Sequence, residues 1–190
     1  MGLAEDIADR LLGLPEGTAI ALRIQVDNYF DVIRAVLDIF APRKDLDCIY
    51  ISTSIPAQSI VNALQALEID MGRVSFVDSI SQMMMSSPKK DQKVLFVESP
   101  SMLETIMLKV EYLMKKRGEG QNSVVFLDSI NSLAIHNNNR ILSEFLHVMV
   151  NNFRAKNAYT VILSVEEHGS AEIANMINLV CDETIVLEKK

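Results

Sequence analysis

The stretch SVVFLDSINSL, residues 123–133, runs four apolar residues into Asp128 and follows it with the hydroxyl of Ser129. An acid placed this way ends a buried parallel strand and presents a carboxylate to a magnesium ion and its water. Hydrolysis at such an acid needs three further parts. A glycine-rich loop must curl its N–H groups around phosphate oxygens, a lysine must reach the outer phosphates, and a base must face the attacking water. Each part has to follow another strand of the same sheet.

After the first strand comes IQVDNYFD, residues 24–31, which contains no Gly, Lys or Arg. Asp27 and Asp31 put negative charge where phosphates would lie, and Phe30 is bulky and uncharged. This is a strand-to-helix turn, with Asp27 or Asn28 expected to cap a helix starting near Tyr29. After the second strand comes IYISTSIP, residues 49–56. Thr53 and Ser54 carry hydroxyls that do not ionise near neutral pH, so neither is a general base. Their expected work is to cap the helix beginning after Pro56. Asp128 then either holds a metal-bound water or, as a structural acid, accepts bonds from neighbouring loop N–H groups. With no phosphate loop opposite, the structural role is favoured.

Ser164, Glu166, Glu167 and His168 follow a later strand. A histidine near two carboxylates suggests a metal or acid–base site, but His136, His147 and His168 show no ligand spacing, and a surface loop is expected. There is no GxSxG nucleophile elbow. Lys89, Lys90 and Lys93 form a small basic spot beside acids, read as a solvated loop. Met83, Met84 and Met85, beside Ser86, Ser87 and Pro88, either form an adaptable contact surface or fill gaps in the core.

The elements that must position these residues emerge from periodicity. Strands are expected at Thr18–Ile24, Asp47–Thr53, Arg73–Val77, Lys93–Val97, Ser123–Leu127, Tyr159–Val165 and Glu183–Leu187. Helices are expected at Asn28–Phe40, Ala57–Leu67, Pro100–Lys116, Arg140–Lys156 and Ala171–Leu179. Alternation of this kind gives βαβ crossovers, hence an α/β fold with a mainly parallel sheet and helices on both faces. Ligands of such sheets sit beyond the carboxyl ends of the strands.

At 190 residues and 49% hydrophobic content, the chain suits one folded domain spanning residues 1–190. A net charge of −7 without a Lys/Arg stripe argues against nucleic acid as the main partner. The amino-terminal MGLAEDIADRLLGLPEG carries acids where a secretory signal would be basic, and Asp6 breaks the myristoylation pattern. No window offers the roughly 18 apolar residues of a spanning helix, so no membrane role and a cytoplasmic location are expected. Cys48 and Cys181 read as small buried hydrophobes of a reducing compartment.

From about Leu14 to Leu187 the chain resembles the RecA-like ATPase superfamily, in particular its KaiC-like branch. LPEGTAIALRI is similar to that branch's entry to the phosphate loop, and CIYISTSIPAQSIVNALQALEID to its second strand and helix. SVVFLDSINSL resembles its Walker B strand, while AYTVILSVEEH and CDETIVLE resemble its last core strands. The resemblance implies a RecA-like fold and places Asp128 at the Walker B acid. Phe30 falls at the phosphate-loop Lys, Asp31 at the Ser/Thr that binds Mg²⁺, and Thr53 and Ser54 at the catalytic Glu pair. Cradle, cation and base are thus replaced together, as in a pseudo-ATPase, and similar relatives are associated with archaea.

The function expected on these grounds is that of a non-catalytic interaction, regulatory or scaffold module, with no cofactor and no metal. Its implied partners are further copies of itself or an active RecA-like paralogue. One alternative is a weak ATP or GTP hydrolase using Asp128 and Mg²⁺ with an unconventional loop. Another is a small-ligand sensor whose old pocket, refilled by Tyr29 and Phe30, takes something uncharged or cationic.

Overall fold

Short apolar runs rich in Val, Ile and Leu pack well on a pleated surface covered from both sides. In a computed structural model, which describes residues 2–85, 88, 90–118 and 121–187, these runs form seven strands. They are β1 (Ala19–Ile24), β2 (Asp47–Ser52), β3 (Val74–Asp78), β4 (Val94–Phe96), β5 (Ser123–Asp128), β6 (Tyr159–Val165) and β7 (Glu183–Val186). All pair in parallel in the order β4-β3-β2-β5-β6-β1-β7, so the expected α/β architecture is present. β5 is buried along its whole length and β6 is nearly so, which explains why neither alternates polar with apolar residues.

The pleat sends side chains to two cores. Ile20, Leu22, Tyr50, Phe126 and Val161 meet the helices over residues 3–12, 29–43 and 57–66. Ala21, Ile51, Val125, Leu127 and Ile162 meet the helices over residues 103–116, 130–136, 139–155 and 171–180. Three helices close in the same way before a strand. Asp45, Glu68 and Asn157 take the left-handed conformation, at φ 56°, 58° and 55°. The next residue's N–H then bonds five back, Leu46 to Ala41 at 2.8 Å, Ile69 to Leu64 at 3.0 Å and Ala158 to Phe153 at 3.0 Å.

Besides the single helical turn at Ser81–Met84, two helices are additional to the expected set. Leu3–Leu12 buries Ala4, Ile7, Ala8 and Leu11 against residues 35–40, and the Glu5 carboxylate accepts from Gly2 N at 2.8 Å. Ile130–His136 is the other. The helix expected at Asn28–Phe40 begins with a 3₁₀ turn at Val26–Asn28, is α-helical over Tyr29–Arg34, widens to a π form over Ala35–Phe40 and closes at Ala41–Arg43. Pro42 lies just beyond the wide turns; its ring has no N–H for the carbonyl four back and would crowd it in a regular α-helix.

Met83, Met84 and Met85 are 51, 64 and 42% exposed, so they lie on the surface and do not fill the core. Lys89, Ser86 and Ser87 lie outside the described residues; Lys90 is exposed, and Lys93 Nζ donates to Gly72 O at 2.9 Å. Cys48 is buried and Cys181 half-buried; both are free thiols, and burial pushes each up to about 12. Among the described residues no helix is long and apolar enough to cross a membrane.

Candidate functional site

The parallel register sets Ser52 at the end of β2 level with Asp78 on β3 and Asp128 on β5. The chain runs outward from β2 to β4 and then returns to β5 and β6, so the switch of direction opens a crevice at these strand ends. Asp128 lies there, 2% exposed. Its Oδ2 accepts from the Tyr50 hydroxyl at 2.5 Å and from the Tyr29 hydroxyl, and the two hydroxyls lie 3.3 Å apart. Tyr50 stands near the end of β2, wedged between Phe76 and Phe126 with ring centroids 5.2 and 5.0 Å away. Tyr29 arrives from the opposite side, on the first turn of the helix after β1.

Asp128 is therefore bonded by two side chains, where loop N–H groups were expected to serve it. Burial raises its pKa above the ordinary carboxylate value, and the bonds from Tyr29 and Tyr50 counter this only in part. Both tyrosines are pushed up, first by burial and then by the neighbouring Asp128 charge, so they remain neutral donors. The turn after Asp128 is held by its neighbours. Thr53 N–H and Oγ1 reach the Asp128 carbonyl at 2.9 and 2.8 Å, Ser129 N donates to Thr53 Oγ1 at 2.9 Å, and Ser132 Oγ donates to Thr53 O at 2.7 Å. The Asp128–Ser129 peptide is cis.

Neither expected helix cap is made by the residues expected to make it. Thr53 is fully buried in the contacts just described, and Ser54 is exposed at the cleft wall; neither caps the helix Ala57–Ala66. That helix is capped by Asp78, whose Oδ2 accepts from Ala57 N at 2.8 Å. Asn28 occupies the cap position before Tyr29 but makes no side-chain cap, and its Oδ1 is buried with no partner among the described residues. Asp27 is exposed, and Asp31 is half-buried one turn further on. Asp78 carries a signal in the sequence that the strand-by-strand reading missed: FVDSI at 76–80 repeats the strand-acid-serine pattern of FLDSI at 126–130.

A cleft of about 440 Å³ opens above this floor. Its walls include Val26, Tyr29, Phe30, Ile55, Ile135 and Val165, with Asp128, Ser129, Asn131 and Ser132 deeper and His168 on the rim. The loop after β6 ties itself to β1: Glu166 takes Arg23 through two bonds of 2.7 and 3.1 Å, and Glu167 accepts from Val26 N at 3.1 Å. Asn131 fixes the neighbouring helix by exchanging bonds with Val165 O at 3.1 Å and Val165 N at 2.8 Å. Among the described residues no group of three His, Cys, Asp or Glu could hold a metal ion.

A seven-stranded parallel sheet in this order, with its crevice between β2 and β5, defines a RecA-like α/β protein. Residues 40–190 match the family described as "ATPase: KaiC", and the chain belongs to that family. Three solved structures share its fold. The KaiC-like protein PH0186 from Pyrococcus horikoshii OT3 is 14% identical, with a TM-score of 0.65 over 94% of this chain and 76% of that one. The flagellar accessory protein FlaH from Methanocaldococcus jannaschii is 15% identical, with a TM-score of 0.64 over 95% and 76%. The uncharacterized protein PH0321 from Pyrococcus horikoshii, in complex with an unknown peptide, is 13% identical, with a TM-score of 0.71 over 98% and 83%. No curated protein matches the chain by sequence.

Proposed function

We propose that this member of the KaiC family does not hydrolyse ATP and works as an interaction or regulatory module. The observation that carries the reading is the pair of tyrosine hydroxyls on Asp128 Oδ2. The two hydroxyls take up one oxygen of the acid and crowd its approach, and Tyr29 belongs to the same turn that would have to cradle phosphates. The turn does not suit a triphosphate: residues 24–31 lack Gly, Lys and Arg, and Val26 N, one of its donors, is already bonded to Glu167. The cation beneath it, Arg23, is neutralised by Glu166. Thr53, at the position of a base, is buried against the Asp128 carbonyl. Mg-ATP therefore lacks a seat here.

Exposed apolar side chains support the interaction role. Met83–Met85 form one exposed apolar stretch, and Leu108, Tyr112 and Val148 lie on the outer helices at 65, 55 and 61% exposure. Further copies of the chain or a RecA-like paralogue are the proposed partners. A phosphate-release assay with Mg-ATP, read beside light scattering of the purified chain, tests both halves. The reading expects no γ-phosphate release above buffer and a mass above that of a monomer. Release that disappears in Asp128→Ala would contradict the first half. A monomer at high concentration that also fails to associate with an active paralogue would contradict the second.

A further inference from the structure

We infer that the cleft over Asp128 is a binding site for an apolar organic cation, with hydrocarbon against Val26, Phe30, Ile55 and Ile135 and an ammonium head at the Asp128 end. This rests on the reading that no triphosphate occupies the cleft, and it names what the remodelled pocket would take instead. At about 440 Å³ the cleft is of the size that holds small molecules. Val26, Phe30, Ile55 and Ile135 are 52, 51, 36 and 80% exposed, so four large apolar side chains stay wet around one depression. Their burial is the favourable term a ligand would recover.

Charge decides the class of head group. A carboxylate so nearly enclosed by protein needs positive charge or several strong donors. Asp128 has two neutral hydroxyls, both converging on the same oxygen. Among the described residues lining the cleft there is no Lys or Arg, and His168 is exposed on the rim. Arg23, close by at the end of β1, is taken by Glu166. Burial lifts the Asp128 pKa by more than its two hydrogen bonds lower it, as expected of an acid short of a cation. Tyr29 and Phe30 pack edge to face with centroids 5.3 Å apart, and aromatic surface beside a carboxylate further suits a cation. An anion meets the opposite field, and a neutral ligand gains the apolar walls alone.

Three probes of matched size separate these contributions: 2-phenylethylamine, 2-phenylethanol and 3-phenylpropionate, each titrated calorimetrically into the full chain. The amine is expected to bind about tenfold tighter than the alcohol, and the propionate weakest. Asp128→Asn keeps the shape and removes the charge, and should bring amine and alcohol within about twofold of each other. Ile135→Ser, at an exposed wall position, should weaken amine and alcohol alike by about threefold. Chemical-shift mapping on the unsubstituted chain is independent of either variant and should place the amine at Tyr29, Phe30, Ile55 and Ile135. Silence of all three probes, propionate equal to the amine, an amine preference that survives Asp128→Asn, or shifts elsewhere would each overturn the site. Those outcomes leave the proposed loss of hydrolysis standing; that reading fails separately, on γ-phosphate release that needs Asp128.

Discussion

Two strand ends in this protein carry the same five-residue pattern and use it differently. FVDSI closes β3 and FLDSI closes β5, and both acids lie level with Ser52 between them. Asp78 is fully buried and gathers four donors: Ala57 N at 2.8 Å from across the sheet, and Ile80 N at 3.0 Å, Ser81 N at 2.8 Å and Ser81 Oγ at 2.6 Å from its own turn. After β5 the serine does the capping, with Ser129 Oγ accepting from Ser132 N at 3.4 Å, and the carboxylate is released to cross the crevice to Tyr29 and Tyr50. The local pattern fixes where an acid ends a strand. What the acid then does depends on which neighbour satisfies the backbone behind it and on what faces it across the sheet.

The comparison breaks most visibly at Asp78. Asp78→Ala would strand three buried backbone N–H groups that cannot rotate to new partners, and should cost about 4 kcal/mol by denaturant unfolding. That corresponds to a fall in Tm of about 10 °C for a chain of this size. A loss below about 1 kcal/mol would show that the two acids are equivalent after all. At the other strand end, Tyr50→Phe removes a fully buried donor to a charged oxygen and should cost about 1.5 kcal/mol.

Asp128→Asn should cost about 1 kcal/mol or less near pH 7, because the amide oxygen still accepts from both hydroxyls. Its pH dependence sharpens the contrast. The folded-state pKa of Asp128 is raised above the unfolded value of about 3.9, so folding favours the protonated acid. The stability this group contributes is fully present below the unfolded pKa and is lost as pH rises through the folded one. The wild-type chain should therefore gain on Asp128→Asn as pH falls through that window, and a gain with rising pH would contradict the burial account. The smallest effect is expected of Tyr29→Phe, about 0.5 kcal/mol, since water in the cleft can replace its hydroxyl at Asp128.

Much of the sheet is legible in the sequence because its strands are buried on both faces and read as unbroken runs such as VVFL and TVIL. The helix at Leu3–Leu12 is harder to see. Its apolar stripe of Ala4, Ile7, Ala8 and Leu11 is regular, with Glu5, Asp6, Asp9 and Arg10 on the outer face, but it lies in a segment that invites reading only as a targeting signal. At the site, the placement of Asp128 at a strand end is readable, but its partners are not. Tyr29 lies 99 residues and Tyr50 78 residues away in sequence, and each sits where an aromatic residue needs no special reason. Proximity alone assigns Thr53 and Ser54 to the nearest helix start. The sheet instead turns Thr53 toward β5 and gives the cap to Asp78, a pairing only the β2–β3 register creates.

The proposed absence of a nucleotide seat at the β1 turn and Asp128 is tested most directly by calorimetric titration of Mg-ATP into the purified chain. The account predicts no saturable heat at millimolar Mg-ATP. Micromolar binding that is lost on replacing Asp128 with Ala would contradict it.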